Sequence, residues 1–101
     1  MPKPLNFHEQ WIDPILAGSK RITVRRAGSG YQRGDVVKAM RRNHPAFAEL
    51  QIERVQTVGL DDLTTRHAKL DGHHSADDLK AAVVRLYPGE QQFDVISFRV
   101  A

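Results

Sequence analysis

Five short segments of this chain read as β-strands, and none follows another in the strict strand-helix-strand rhythm that builds a parallel sheet. Leu5–Phe7 is a brief strand, and Lys20–Arg26 alternates with Ile22 and Val24 on one face and Arg21, Thr23 and Arg25 on the other. Asp35–Arg42 is a strand broken by Asn43–Pro45, and Gln92–Val100 carries Ile96, Phe98 and Val100 on one face. Along Phe47–Val58 the apolar parity set by Ala48, Leu50 and Ile52 shifts at Val55, which predicts a bulge between them. Strands bend at bulges, as small barrels require.

Three helical segments interrupt these strands. Trp11, Ile12, Ile15 and Leu16 recur at helical spacing within His8–Ala17, and Gly18 suits a left-handed cap. Pro14 predicts a kink there, or a fresh helical start with Asp13 as its cap. A short helix is expected over Asp62–Leu70, ending near Gly72. A longer one follows from a capping box at Ser75-Ala76-Asp77-Asp78 and stops at Pro88-Gly89, with Leu79, Ala82, Val83, Leu86 and Tyr87 on its apolar face. The expected fold is α+β: one domain over residues 1–101, with a small, strongly bent sheet or barrel and helices packed on it.

At 101 residues the chain has room for one core, and with no cysteine it must hold that core by packing alone. The absence of cysteine also excludes disulfide frameworks, thiolate zinc sites and cysteine nucleophiles. No apolar run reaches membrane-spanning length and the start, MPKPLNFHEQW, lacks signal-peptide order, so a cytoplasmic location and no membrane partner are expected. Charge is uneven. Residues 1–42 carry nine Lys/Arg against Glu9, Asp13 and Asp35, near +6, whereas residues 43–101 carry six against nine, near −3. A basic first part favours an anionic or polynucleotide-derived partner, and a solvated basic surface is the plainer reading.

Most standard site patterns are missing, including GxGxxG, the GxxxxGK[ST] phosphate loop, GxSxG and HExxH. Gly28-Ser29-Gly30 leads into Tyr31 and a strand, so it reads as a hairpin connection rather than a phosphate cradle. His8, His44 and His67 stand singly and His73-His74 as an adjacent pair, which suits surface or turn positions, and no metal or other cofactor is expected. Trp11, Tyr31, Phe47 and Tyr87 are candidates for stacking on a base, but core packing accounts for most of them. More suggestive is Lys20, three residues before Thr23, among Arg21, Arg25 and Arg26. A hydroxyl becomes a useful nucleophile when a nearby base takes its proton, and a lysine can act so when burial or neighbouring cations lower its pKa. On an ideal strand the odd offset sends the two side chains to opposite faces, so for them to meet Lys20 must sit in the turn before the strand or at a bulge; by pattern alone, a plain strand threonine and a solvated lysine are the commoner reading.

The run ILAGSKRITVRR (Ile15–Arg26), the turn Gly34-Asp35-Val36, LTTRHA (Leu63–Ala68) and YPGEQQFDVISF (Tyr87–Phe98) resemble, in order and spacing, the small bacterial ASCH-domain proteins. Within that family the chain is most similar to the N(4)-acetylcytidine amidohydrolases of the YqfB type. The resemblance implies a PUA-like β-barrel of five or six strands with two or three packed helices. It also implies a hydrolase that removes acetyl from the exocyclic nitrogen of N(4)-acetylcytosine, its nucleoside or its nucleotide, without a cofactor. The family's Lys-x-x-Thr falls on Lys20 and Thr23, and its catalytic glutamate falls on Asp71, one methylene shorter. Arg25 and Arg26 are the expected substrate-binding residues, on a sugar or phosphate. Two other readings stand beside this one: an RNA-binding PUA-like module, with or without ribonuclease action, and an inactive relative that binds a modified nucleoside. A monomer or weak dimer is expected.

Overall fold

A computed structural model of the protein describes residues 3–101. Its five strands are β1 (Leu5–Asn6), β2 (Ile22–Arg26), β3 (Val36–Met40), β4 (Ala46–Gly59) and β5 (Gln92–Val100), and its three helices are α1 (Ile12–Ala17), α2 (Thr65–Asp71) and α3 (Ala76–Leu86). The strands form one sheet in the order β1-β3-β4-β5-β2. β1 runs parallel to β3 and every other neighbour pair is antiparallel.

The bulge falls where the parity shift placed it. Ile52 pairs with Phe98 but Arg54 pairs with Ser97, so Glu53 is the extra residue. It lets Leu50 and Ile52 bury on the same side of the bent strand as Val55, although their spacing is odd. The sheet curls into a half-barrel that stays open between its edge strands β1 and β2. Side chains bridge that seam: Arg25 donates from β2 to the Asn6 carbonyl on β1 at 2.8 Å, and the Tyr31 hydroxyl donates to the Pro4 carbonyl at 2.9 Å. The strongly bent sheet expected from the sequence is thus present, with the short β1 as one of its edges.

Apolar side chains pack on both sides of the sheet. Leu5, Phe7, Ile15, Tyr31, Leu50, Ile52, Ile96 and Phe98 form one cluster. Ile22, Val24, Val58, Leu79, Val83, Phe93 and Val95 form the other, beneath α2 and α3. β5 contributes to both, since alternate side chains point to opposite faces. Phe93 and Phe98 are buried to within 1% of full enclosure, and truncating either to alanine should cost about 3–5 kcal/mol.

Two local expectations are corrected. Residues 27–35 do not join a hairpin, because β2 pairs with β5 while β3 pairs with β1 and β4. The segment instead links two strands that are not neighbours in the sheet, anchored by buried Tyr31 and by Asp94. Asp13 does not cap α1. A 3-10 turn over Glu9–Trp11 leads into the helix and Trp11 is its cap residue, so Pro14 lies in the first turn, where a backbone donor is not needed. α3 starts at Ser75 as expected, with Asp78 N donating to Ser75 Oγ, and buries Leu79 and Val83 while Leu86 stays exposed.

Candidate active site

Local backbone geometry delivers Lys20 to the seam. α1 ends at Gly18 with φ 82°, and the amides of Ser19 and Lys20 both donate to the Pro14 carbonyl, which tightens the chain into a turn. The next residue ties two elements together: Arg21 N donates to Leu70 O of α2 at 2.7 Å, and Arg21 O accepts from Phe98 N of β5 at 3.0 Å. Lys20 therefore occupies the turn before β2, one of the two places its offset from Thr23 allowed, and lies against the C-terminal end of α2.

Asp71 is the last residue of that helix. Lys20 Nζ donates to Asp71 Oδ1 at 2.5 Å and to the Asp71 carbonyl at 2.9 Å, and Lys20 is only 4% exposed. The shorter aspartate reaches its lysine because the Arg21–Leu70 hydrogen bond draws the helix end onto the turn. Burial holds the Lys20 amine below the ordinary lysine range; Asp71 pulls the other way, and the charge of Arg25 adds to the lowering. The Trp11 ring faces Lys20 Nζ at 4.6 Å and can stabilise the ammonium whenever it forms.

Thr23 and Arg25 share the other face of β2 from Ile22 and Val24. Thr23 is 5% exposed, and its Oγ1 accepts from Arg25 Nε at 3.1 Å while the Arg25 guanidinium lies over the Phe7 ring at 5.1 Å. Lys20 and Thr23 open on one cleft of about 880 Å³, with Asp71, Arg25 and Trp11 also in its wall. That volume lies within the range of small-molecule sites. No hydrogen bond joins Lys20 to Thr23, because the amine is turned to Asp71. Arg26 points elsewhere: its side chain is 62% exposed, paired with Glu90 at 3.2 Å and set over Tyr87, beside a second groove also bordered by Lys3 and Arg25.

One residue of this constellation was not legible as such. His73, expected at the surface or in a turn, does follow the turn at Gly72, but its side chain is only 20% exposed and its Nε2 lies 3.0 Å from Asp71 Oδ2. Its ring also packs on Trp11 at 5.6 Å. The signal was the Asp-Gly-His order: a left-handed glycine at a helix end fixes the direction of the residue after it. Among the described residues no cluster of three or more His, Cys, Asp or Glu side chains could hold a metal.

Comparison with known proteins identifies relatives and fold neighbours. The N(4)-acetylcytidine amidohydrolase of Escherichia coli K12 is 35% identical over 100 residues, which span 97% of this chain and 96% of that protein. The protein of the same name from Escherichia fergusonii matches to the same extent. Among solved structures, the ASCH domain from Lactobacillus crispatus superposes with a TM-score of 0.74 at 16% identity, over 88% of this chain and 69% of that one. The ASCH protein of Zymomonas mobilis superposes at 0.76 and 10% identity, over 97% and 67%. These two establish the fold. No family model matches the chain.

Proposed function

We propose that this chain, which belongs to the N(4)-acetylcytidine amidohydrolase family, hydrolyses the acetamide of N(4)-acetylcytidine to cytidine and acetate, with Thr23 as nucleophile and Lys20 as its base. The observation that carries the assignment of roles is a buried lysine whose pKa is lowered, opening on the same cleft as a threonine hydroxyl. Lys20 in its neutral form turns from the Asp71 carbonyl to take the Thr23 proton. Thr23 Oγ1 then bonds to the acetyl carbon, and the carbonyl oxygen takes up the negative charge of a tetrahedral intermediate. Arg25 Nε, already donating to Oγ1, stabilises the developing alkoxide.

When the intermediate collapses, the carbon to N4 bond breaks and the Lys20 ammonium returns its proton to the departing amine. Asp71 and the Trp11 face hold that ammonium in the interval. Water, deprotonated by Lys20, attacks the acetyl-threonine ester, releases acetate and restores the hydroxyl. Arg25 is the substrate-binding arginine at the cleft, and Arg26 serves only a substrate that extends toward the second groove. The reaction needs no cofactor, and we place it in the cytoplasm, carried out by a single domain that is monomeric or weakly dimeric.

The purified protein should release cytidine from N(4)-acetylcytidine, and Thr23→Ala and Lys20→Ala should each lower kcat by about 10³-fold or more. Full activity in Thr23→Ala would remove the nucleophile assignment. A second reading, engagement of RNA phosphates, draws on the groove of about 470 Å³ bordered by Lys3, Arg25 and Arg26. It requires salt-dependent RNA binding that Thr23→Ala leaves intact and Arg25→Ala weakens.

A further inference from the structure

His73 enters neither the proton transfer nor the acyl transfer described above, yet it is fixed as firmly as the residues that do. Its amide donates to the Ala68 carbonyl at 2.8 Å and the Gly72 amide to Lys69 O at 3.2 Å, the paired hydrogen bonds that close a helix on a left-handed residue. Gly72 has φ 93°, and a Cβ there would lie 2.5 Å from Trp11 Cζ3. Trp11 thus sits directly on the helix end, with the His73 ring against it. At 3.0 Å from Asp71 Oδ2, His73 Nε2 is within donating distance of the carboxylate, which when ionised can only accept. The two carboxylate oxygens are divided, Oδ1 to Lys20 and Oδ2 to His73.

We propose that His73 is a positioning residue that acts on Lys20 through Asp71, holding Oδ1 on the amine and drawing off part of the carboxylate's charge through Oδ2. The need for such a device follows from the two demands on Lys20. It must be held in place by a carboxylate, but a carboxylate favours the protonated amine, which cannot act as a base. A donor on the far oxygen keeps the geometry and weakens that electrostatic preference. The other groups near Lys20 do not substitute for it. Arg25 lies on the Thr23 side, His8 and Glu9 border the cleft before α1, and Arg85 and Tyr87 border it at the end of α3. Among the described residues none of these contacts Asp71 Oδ2.

The consequence for turnover rests on the amidohydrolase reading, but the effect on Lys20 does not, so the two can be tested apart. The Lys20 ionisation is followed by NMR in protein labelled with 13C at lysine Cε, its resonance assigned by its loss in Lys20→Arg. His73→Phe keeps a ring on Trp11 and removes the donor, whereas His73→Gln can present an amide N–H near the position of Nε2. We expect the Lys20 midpoint to rise by about half a pH unit or more in His73→Phe and to return toward the wild-type value in His73→Gln. On N(4)-acetylcytidine, kcat should fall roughly tenfold in His73→Phe with KM within about twofold, and the glutamine should recover most of it. A Lys20 midpoint that is the same in all three proteins overturns the inference, whatever their turnover. A midpoint that moves as expected in a protein inactive on N(4)-acetylcytidine upholds it and defeats the amidohydrolase reading instead. Equal defects in the phenylalanine and glutamine variants, both folded, would assign the histidine to packing alone.

Discussion

Asp71 and Asp94 are both buried carboxylates, and they face opposite kinds of partner. Asp94, on β5, accepts from Ser29 N at 3.1 Å, Ser29 Oγ at 2.6 Å and Thr57 Oγ1 at 2.7 Å, all of them uncharged donors that do not titrate near neutrality. Burial pushes its carboxyl up, but the hydrogen bonds from Ser29, Thr57 and the Gly28 and Ser29 backbone outweigh that and hold it below its ordinary value. Asp71 instead lies between the Lys20 amine and the His73 imidazole, one on each carboxylate oxygen. The first carboxylate braces the loop between β2 and β3. The second holds the groups to which the proposed reaction is assigned. Burial of a charge does not by itself distinguish a brace from a site; the chemistry of the donors does.

The sharpest way to break this comparison is to neutralise each acid in turn. Asp71→Asn should lower kcat on N(4)-acetylcytidine by about 10²-fold or more, because Lys20 loses the partner that places it and holds its proton. Asp94→Asn should leave activity per folded molecule within about twofold but destabilise the protein by about 1–3 kcal/mol, since an amide turned toward those donors cannot accept from all of them. Denaturation curves and single-substrate kinetics on both variants read the two effects. Reversal of the pattern would exchange the roles assigned to the two residues.

Acid sharpens the same contrast. Because the folded Asp94 pKa lies below its ordinary 3.8, its contribution to stability is complete above that value and is lost as pH falls through the folded pKa. The stability gap between wild type and Asp94→Asn should therefore close on acidification below about pH 4, as measured by urea unfolding across pH. Lys20 carries the opposite signature. Burial makes its charged form less favourable than in a free lysine, so kcat/KM should rise with pH as the amine deprotonates, on a limb that begins below the ordinary 10.5 of lysine.

Smaller effects should follow from the supports. Gly72→Ala forces a side chain into a left-handed position and against Trp11, and should cost about 1–2 kcal/mol together with a measurable loss of kcat as Trp11 and His73 shift. Arg26→Ala removes only an exposed ion pair with Glu90 and should change stability by no more than about 0.5 kcal/mol. A large loss of nucleoside turnover in that variant would bring Arg26 into the cleft, where the structure does not place it.

Much of the fold was legible along the chain because it depends on near neighbours. Strand periodicity marked β2, β3, β4 and β5, the parity shift at Val55 marked the bulge, and Ser75 and Gly72 marked helix ends. The position of Lys20 was narrowed by local geometry, since its odd offset from Thr23 left only a turn or a bulge for the two to meet. Other features depended on residues far apart in sequence. That β2 pairs with β5 rather than β3, and that the half-barrel stays open between β1 and β2, are decided by which strands share a core. Periodicity carries no record of that choice.

The site divides along the same line. Local sequence was enough to put an amine and a hydroxyl on either side of the start of β2. The resemblance in ordered motifs was enough to suggest Asp71. Only the tertiary structure brings residues 20, 71 and 73 together, through the Arg21–Leu70 hydrogen bond, and turns an ordinary-looking histidine toward a buried carboxylate. The physical reason is range. Backbone propensity acts over a few residues, whereas the desolvation and charge that set the Lys20 ionisation come from elements that meet only when the whole sheet has curled.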